Sequence, residues 1–251
     1  MQVFGNSLKL VFLLHSFLRP ESRFTLPRFT AAVRTSQRVK KVPRVVWTTN
    51  YSNQVTLPVY ANYLWNRSMS RTWEYKFCDD DDCANFIKSN FPSDVFDAFE
   101  SLQIGAAKAD LWRILVLQKY GGVYIDIDAA FCWPLERMIA DDQSELFVQL
   151  KDGSITNHFI AVCPNHPLIK EMADRIVSNI KKNTLKSVFD MTGPTVVTDI
   201  LRGKAVSIGA NRYVARQALI TTKKHQYPES LKGYWVEEQK RRSIVRPDRP
   251  K

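Results

Sequence analysis

The chain has 251 residues, 45% of them hydrophobic, enough for one sizeable core and too few for two. Its formal charge is +11, but residues 1–44 hold net +8 (nine Lys/Arg against Glu21) and residues 239–251 hold net +5, leaving −2 for the body. A near-neutral body excludes a nucleic-acid groove as the working surface and moves any anionic partner to the two ends.

In chain order, the first apolar stretch, "LKLVFLLHSFL", spans eleven residues and contains Lys9 and His15. A membrane-spanning helix needs about twenty apolar residues. Residues 1–40 therefore read as a targeting segment, a weak anchor or a disordered extension, and are set outside the fold. "RVVWTT" (44–49) is β-branched and follows Pro43, which predicts a strand. A helix through "LPVYANYLWNRSM", a strand "EYKFCD" and a short helix "ANFIKSNF" complete a β-α-β opening. Cys78 and Cys83 flank the run "DDDD" and could close a loop in an oxidising compartment, but the four cysteines form no metal or disulfide framework and read as reduced.

A long helix is expected from about Ser101 to Tyr120, then a strand "VYIDIDAAF", then strands "LFVQL" and "HFIAV" and an amphipathic helix over residues 166–183. Alternating strands and helices predict an α/β fold with a mostly parallel sheet and helices on both faces.

The stretch "KYGGVYIDIDAAF" carries the chemistry. Gly121 and Gly122 suit the left-handed geometry that ends a helix. In a continuous strand Asp126 and Asp128 would share a face about 6.5–7 Å apart, where two like charges resist burial. A divalent cation, Mg²⁺ or Mn²⁺, removes the conflict, and Mg²⁺ usually completes its shell with water and substrate phosphates. Upstream, helical spacing puts Asp110 and Arg113 on one side and Lys108 and Lys119 nearly opposite, so the first pair faces inward as an ion pair or as the lining of a polar pocket.

"KADLWRILVLQKYGGVYIDID" resembles the signature of glycosyltransferase family 32, the DXD-containing sugar transferases. "VPRVVWTTN", "WEYKFCDDDDCANFIKSNFP", "ITNHFIAVCPNHPLI" and "MTGPTVVT" are similar to further family segments, so the resemblance covers roughly residues 43–200. It implies a GT-A-like (Rossmann-like) catalytic domain, here bounded at 41–238, with a basic tail at 239–251. By the resemblance, Asp126 contacts the nucleotide ribose and approaches the metal, Asp128 is the principal metal ligand, and Asp110 and Arg113 hold the donor sugar. Trp47 is either the residue that stacks on the nucleobase or a core tryptophan, and Asn157 faces the sugar or merely ends a turn. His225 and Trp235 are the nearest match to the family's closing segment, with His225 as third metal ligand, although their spacing departs from it.

The expected activity is metal-dependent retaining transfer of a hexose from a UDP-sugar or GDP-mannose to a glycan, lipid-linked or other hydroxyl acceptor. Arg113, with Lys223 or Lys224, would stabilise the departing diphosphate. Two other classes compete: a non-catalytic membrane-recruited carbohydrate-binding module and a metal-dependent phosphodiesterase. The basic ends suggest association with a membrane surface, at the Golgi if eukaryotic or the cytoplasmic face of the inner membrane if bacterial.

Overall fold

In the computed structural model the described residues are 2–222 and 234–247, with side chains described from residue 8 onward. The elements run α1 (Gln2–Leu18), β1 (Phe24–Thr25), β2 (Phe29–Thr30), β3 (Val45–Thr49), β4 (Gln54–Val55), α2 (Leu57–Met69), β5 (Glu74–Cys78), α3 (Asp80–Asn90), α4 (Ser93–Ser101), α5 (Gly105–Tyr120) and β6 (Gly122–Ile125). They continue as β7 (Ala129–Phe131), α6 (Leu135–Met138), β8 (Glu145–Gln149), β9 (Ile155–Val162), α7 (Pro167–Lys182), α8 (Val188–Met191), α9 (Pro194–Leu201), β10 (Ile208–Ala210), β11 (Ala215–Gln217) and α10 (Trp235–Arg241).

Seven strands form the central sheet in the order β10-β8-β9-β6-β3-β5-β2. The pairs β10/β8, β6/β3 and β3/β5 are parallel, while β8/β9, β9/β6 and β5/β2 are antiparallel. Only β9 and β2 run against the rest, so the sheet is mixed with most strands pointing one way.

Helices cover both faces. The side chains of Val45, Trp47, Tyr124 and Ile160 meet α3, α4, α5, α7 and α9. The alternate positions Val46, Val123, Ile125 and Phe159 meet Val59 and Tyr63 of α2. This is the period-two division of a strand buried on both sides. Because α5 lies between the sheet and α7, its residues Asp110–Leu117 are all buried.

Four sequence-based boundaries change. Helix α3 begins at Asp80, earlier than "ANFIKSNF", because Asp79 and Asp82 form a reciprocal capping box. The long helix from Ser101 is two helices, α4 and α5, parted at Leu102–Ile104, where Leu102 bridges Val245. Residues 1–40 are not outside the fold: β2 pairs with β5 at the sheet edge, Leu26 is a core residue, and Lys40 bonds the Ile139 carbonyl and Asp141. Nor is 239–251 only a tail, since Ile244 and Val245 are buried and Gln103 donates its backbone N–H to the Ile244 carbonyl. All four cysteines are free.

Candidate active site

Strands β3, β5 and β6 end together at Thr49, Cys78 and Ile125. The chain moves from β3 to β5 on one side and returns to β6 on the other, so the gap beyond β3 and β6 is a switch point of the sheet, where open α/β sheets place their ligands. Gly121 (φ +62°) and Gly122 (φ +99°) turn α5 onto β6. A Cβ on Gly122 would stand 2.6 Å from the Val45 carbonyl oxygen, so only glycine allows this approach.

The expected strand "VYIDIDAAF" breaks at the two aspartates. Asp126 donates its N–H to the His158 carbonyl, Ala129 donates to the Asp126 carbonyl, and the chain turns before resuming as β7. Asp126 and Asp128 are thus the first and third residues of a tight turn, not neighbours on a strand face. Side chains from α2 hold this turn. Asn62 Nδ2 donates to the carbonyls of Ile127 (2.9 Å) and Ala129 (2.8 Å), Asn66 Nδ2 donates to Ala129 O (2.8 Å), and Asn66 Oδ1 accepts from Phe131 N–H (2.9 Å). On the far side, the carbonyl of Asp128 accepts from Ala218 N–H and the Thr221 hydroxyl.

The carboxylate of Asp126 accepts from the Tyr124 hydroxyl at Oδ1 (2.8 Å) and from Gln217 Nε2 at Oδ2 (2.9 Å), and it pairs with Arg113 at 3.2 Å. Arg113 also pairs with Asp110 (3.0 Å), donates to the Asn157 carbonyl (2.8 Å) and to Ala109 O (3.3 Å), and lies 4.5 Å from the Tyr124 ring centre. Asp110 accepts from Asn157 Nδ2 and from the Thr192 hydroxyl, both at 2.9 Å. Asp110, Arg113 and Asn157 are buried, so each polar group is matched inside a low-dielectric site.

Burial raises the Asp110 carboxyl to about 6 against the opposing pull of Arg113, Thr192 and Asn157. Burial works against the charge of Arg113, but Asp126, Tyr124 and Asp110 outweigh it and hold its proton above the ordinary value. Asp128 is raised by burial and then by its neighbour Asp126.

The structure brings Asp110, Arg113, Asp126, Asp128 and Asn157 together. It does not bring Trp47 there. The Trp47 indole is 7% exposed, stacks on Tyr120 at 5.8 Å, has Lys76 5.2 Å from its ring centre and donates to the Gly121 carbonyl at the opposite end of β6 from Asp126. That placement corrects the nucleobase reading in favour of a core tryptophan. Trp235 opens α10 and packs against Phe189 of α8, the helix that leads into Thr192. His225, Lys223 and Lys224 lie outside the described residues.

Sequence reasoning missed Gln217, Tyr124, Asn62 and Asn66. The asparagine pair left a signal, two amides four apart inside a helix, where asparagine is a poor former unless it has a partner. Gln217 left none.

The donor set suits a hard cation. Asp128 and Asp126 offer oxygen, and the raised proton affinity of Asp128 marks a charge conflict that a divalent ion relieves. Among the described residues no group of three His, Cys, Asp or Glu stands ready as an all-protein cage, so such an ion would take its other ligands from water and substrate.

Residues 39–145 match the family described as glycosyltransferase sugar-binding region containing DXD motif. The chain is 29% identical over 128 residues to an uncharacterized glycosyltransferase of Acanthamoeba polyphaga mimivirus, covering 49% of each chain. It is 24% identical over 191 residues to the initiation-specific alpha-1,6-mannosyltransferase of Schizosaccharomyces pombe, covering 64% of this chain and 48% of that one. It thus spans about half the length of these two relatives. Among solved structures, PaToxG glycosyltransferase superposes with a TM-score of 0.52 at 16% identity over 79% of this chain and 77% of its own, a likeness of fold. The matched region, with the DXD turn inside it, is similar to the DXD-motif glycosyltransferases, and the architecture of the chain is GT-A-like.

Proposed function

We propose that the chain transfers a hexose from a nucleotide-diphosphate sugar to a hydroxyl acceptor on a glycan or lipid, with a bound Mn²⁺ or Mg²⁺ and with retention at the anomeric carbon. The observation that carries this reading is the Asp110–Arg113–Asp126 chain of ion pairs, buried at Asp110 and Arg113 and half-buried at Asp126, ending beside Asp128 at the carboxyl edge of β6. The relative named an alpha-1,6-mannosyltransferase favours mannose, and hence GDP-mannose over a UDP-sugar.

Asp128, with Asp126 behind it, would hold the ion, whose positive charge would offset the negative charge that grows on the departing diphosphate. Asp126 is tied to Tyr124, Gln217 and Arg113, so its oxygens are oriented before any substrate arrives. Arg113 already commits four of its contacts to protein oxygens, which makes it a positioning residue for the two aspartates more than a free phosphate clamp. Asp110 retains acceptor capacity beyond Asn157, Thr192 and Arg113, and can receive a sugar hydroxyl. Asn157, fixed by Asp110, would border that sugar, and Trp235 beside α8 would approach from the closing side. No carboxylate among the described residues is identified as a covalent nucleophile, and the reading therefore takes attack from the leaving group's own face with the phosphate oxygen accepting the acceptor's proton.

The test is thermal shift with GDP-mannose and a panel of UDP-sugars, each with Mn²⁺ or EDTA, because a cognate ligand stabilises the folded state by mass action. A metal-dependent rise with one donor, followed by its slow hydrolysis or transfer, is the expected result. No shift with any donor, or cleavage of a phosphodiester by the same protein, overturns the reading.

A further inference from the structure

Helix α1 lies against the segment that supports the DXD turn. Phe12 is 6% exposed and packs on Ala130, Leu219 and Ile220, while Lys9 Nζ donates to the Ala218 carbonyl at 2.6 Å. Ala218 and Thr221 in turn bond the Asp128 carbonyl, so one face of the helix rests directly behind the site. His15 adds a ring contact to Phe24 at 6.5 Å.

The opposite face is bare. Leu10 (71% exposed), Val11 (60%), Leu13 (44%), Leu14 (60%), Phe17 (83%) and Leu18 (67%) all face solvent. At the helical step of about 100° per residue they fall within one arc of about 160°, and the docked positions Leu8 and Phe12 lie opposite. A soluble surface rarely leaves so many large apolar side chains side by side.

We propose that α1 is a membrane-docking helix whose outer face lies in the interfacial layer of an anionic bilayer and whose inner face carries the candidate active site to that surface. The charge around it complements such a surface: residues 1–44 hold nine Lys/Arg against one acid, and exposed Arg19 directly follows the last turn. No helix among the described residues is long and apolar enough to cross a membrane, and α1 is docked along one face by Phe12 and Lys9, a placement that leaves its other face to lie along the interface. The docking stands on the exposed face alone; the further step, that a bilayer-borne hydroxyl is what the surface presents, rests on the transfer reading.

The experiment is flotation of the full chain with vesicles of equimolar phosphatidylcholine and phosphatidylserine, and with phosphatidylcholine alone, at low and high salt. The full chain floats with the mixed vesicles and less so with neutral ones or at high salt. The double variant Leu14→Asp/Phe17→Asp binds at least about tenfold more weakly, since charge replaces buried apolar area. A second variant, Arg19→Glu/Arg23→Glu, leaves the apolar face intact and loses mainly the salt-sensitive part. Turnover of the donor in solution without vesicles is the same in all three, because none of these residues touches the candidate active site, and flotation is read whether or not there is turnover. Absence of flotation, equal flotation of the double variant, or a dimer that the double variant dissociates in solution would overturn the proposal, the last by showing that a second copy covers the face.

Discussion

Gln217 reaches across 91 residues of chain to donate from Nε2 to Asp126 Oδ2 at 2.9 Å, and it does so because β11 pairs with β7 in the register that sets Gln217 opposite Ala129. His158 helps fix this strand: its Nε2 stands 3.1 Å from the Ala215 carbonyl, and its own carbonyl holds Asp126 N–H. The carboxylate of Asp126 is therefore aimed by an element far away in sequence.

Gln217→Leu should keep the fold and loosen that aim. A hydrogen bond to a charged group contributes about 1.5–3 kcal/mol, so the melting temperature should fall by several degrees while the variant stays folded, and kcat/KM for the donor should fall about 10- to 100-fold as the carboxylate loses its aim. Steady-state kinetics beside circular dichroism would read this. Wild-type kinetics would remove Gln217 from the site.

The asparagine clamp on the turn makes a structural prediction. Asn66→Ala leaves the Phe131 N–H without its partner, at a cost of about 1–3 kcal/mol. Asn66→Asp is worse, because a buried carboxylate oxygen then replaces the amide that faces the Ala129 carbonyl. Urea titration of the metal-free protein should rank wild type above Asn66→Ala above Asn66→Asp. A reversed or flat ranking would show that the turn holds without α2.

Two glycines should behave oppositely. Gly122→Ala puts a Cβ 2.6 Å from both Val45 Cγ1 and Val45 O at φ +99°, so it should abolish soluble folded protein or lower its melting point sharply. Gly105 opens α5, and a Cβ added there would meet nothing within 4 Å, so Gly105→Ala should stabilise by about 0.4–1 kcal/mol. Thermal melts of the two variants would settle both.

Much of the fold was legible because its signals are local. The helix over residues 57–69 and the strands at 45–49, 74–78 and 145–149 answer to propensity, periodicity and the prolines and glycines around them. The inward pairing of Asp110 with Arg113 was legible for the same reason. The break at Asp126 was not, since "VYIDIDAAF" alternates like a strand and only Asn62 and Asn66, some sixty residues earlier, impose the turn. The place of Phe29–Thr30 at the edge of the sheet was equally hidden. Composition registers only the nine basic residues up to Arg44, whereas membership of the sheet depends on β2 finding the edge of β5.

Trp47 shows the limit of carrying a role over by position. Trp47→Phe should leave nucleoside diphosphate affinity unchanged while losing the bond to the Gly121 carbonyl, a stability cost of about 0.5–1.5 kcal/mol. Isothermal calorimetry and a melt would separate the two effects. A loss of affinity equal to a stacked base, about 1–3 kcal/mol, would restore the nucleobase role.

Asp128→Asn tests the metal reading and the electrostatics together. Burial and the adjacent Asp126 raise the proton affinity of Asp128 in the folded state. The unfolded chain releases that proton near the ordinary aspartate pKa of about 3.9, while the folded, metal-free protein still holds it. Metal-free stability is therefore lost as the pH climbs from the ordinary value through the raised one, because the unfolded state has already gained the ionisation that the fold resists. The asparagine has no proton to lose, so in EDTA its melting temperature should overtake the wild type's as the pH rises through that window. Adding Mn²⁺ should reverse the order, raising the wild type and leaving the variant nearly unmoved, and turnover should vanish in the variant although its circular dichroism is intact. Parallel melting curves in EDTA would dismiss the charge conflict at the turn, and near-normal turnover with Mn²⁺ would dismiss Asp128 as the residue that holds the ion.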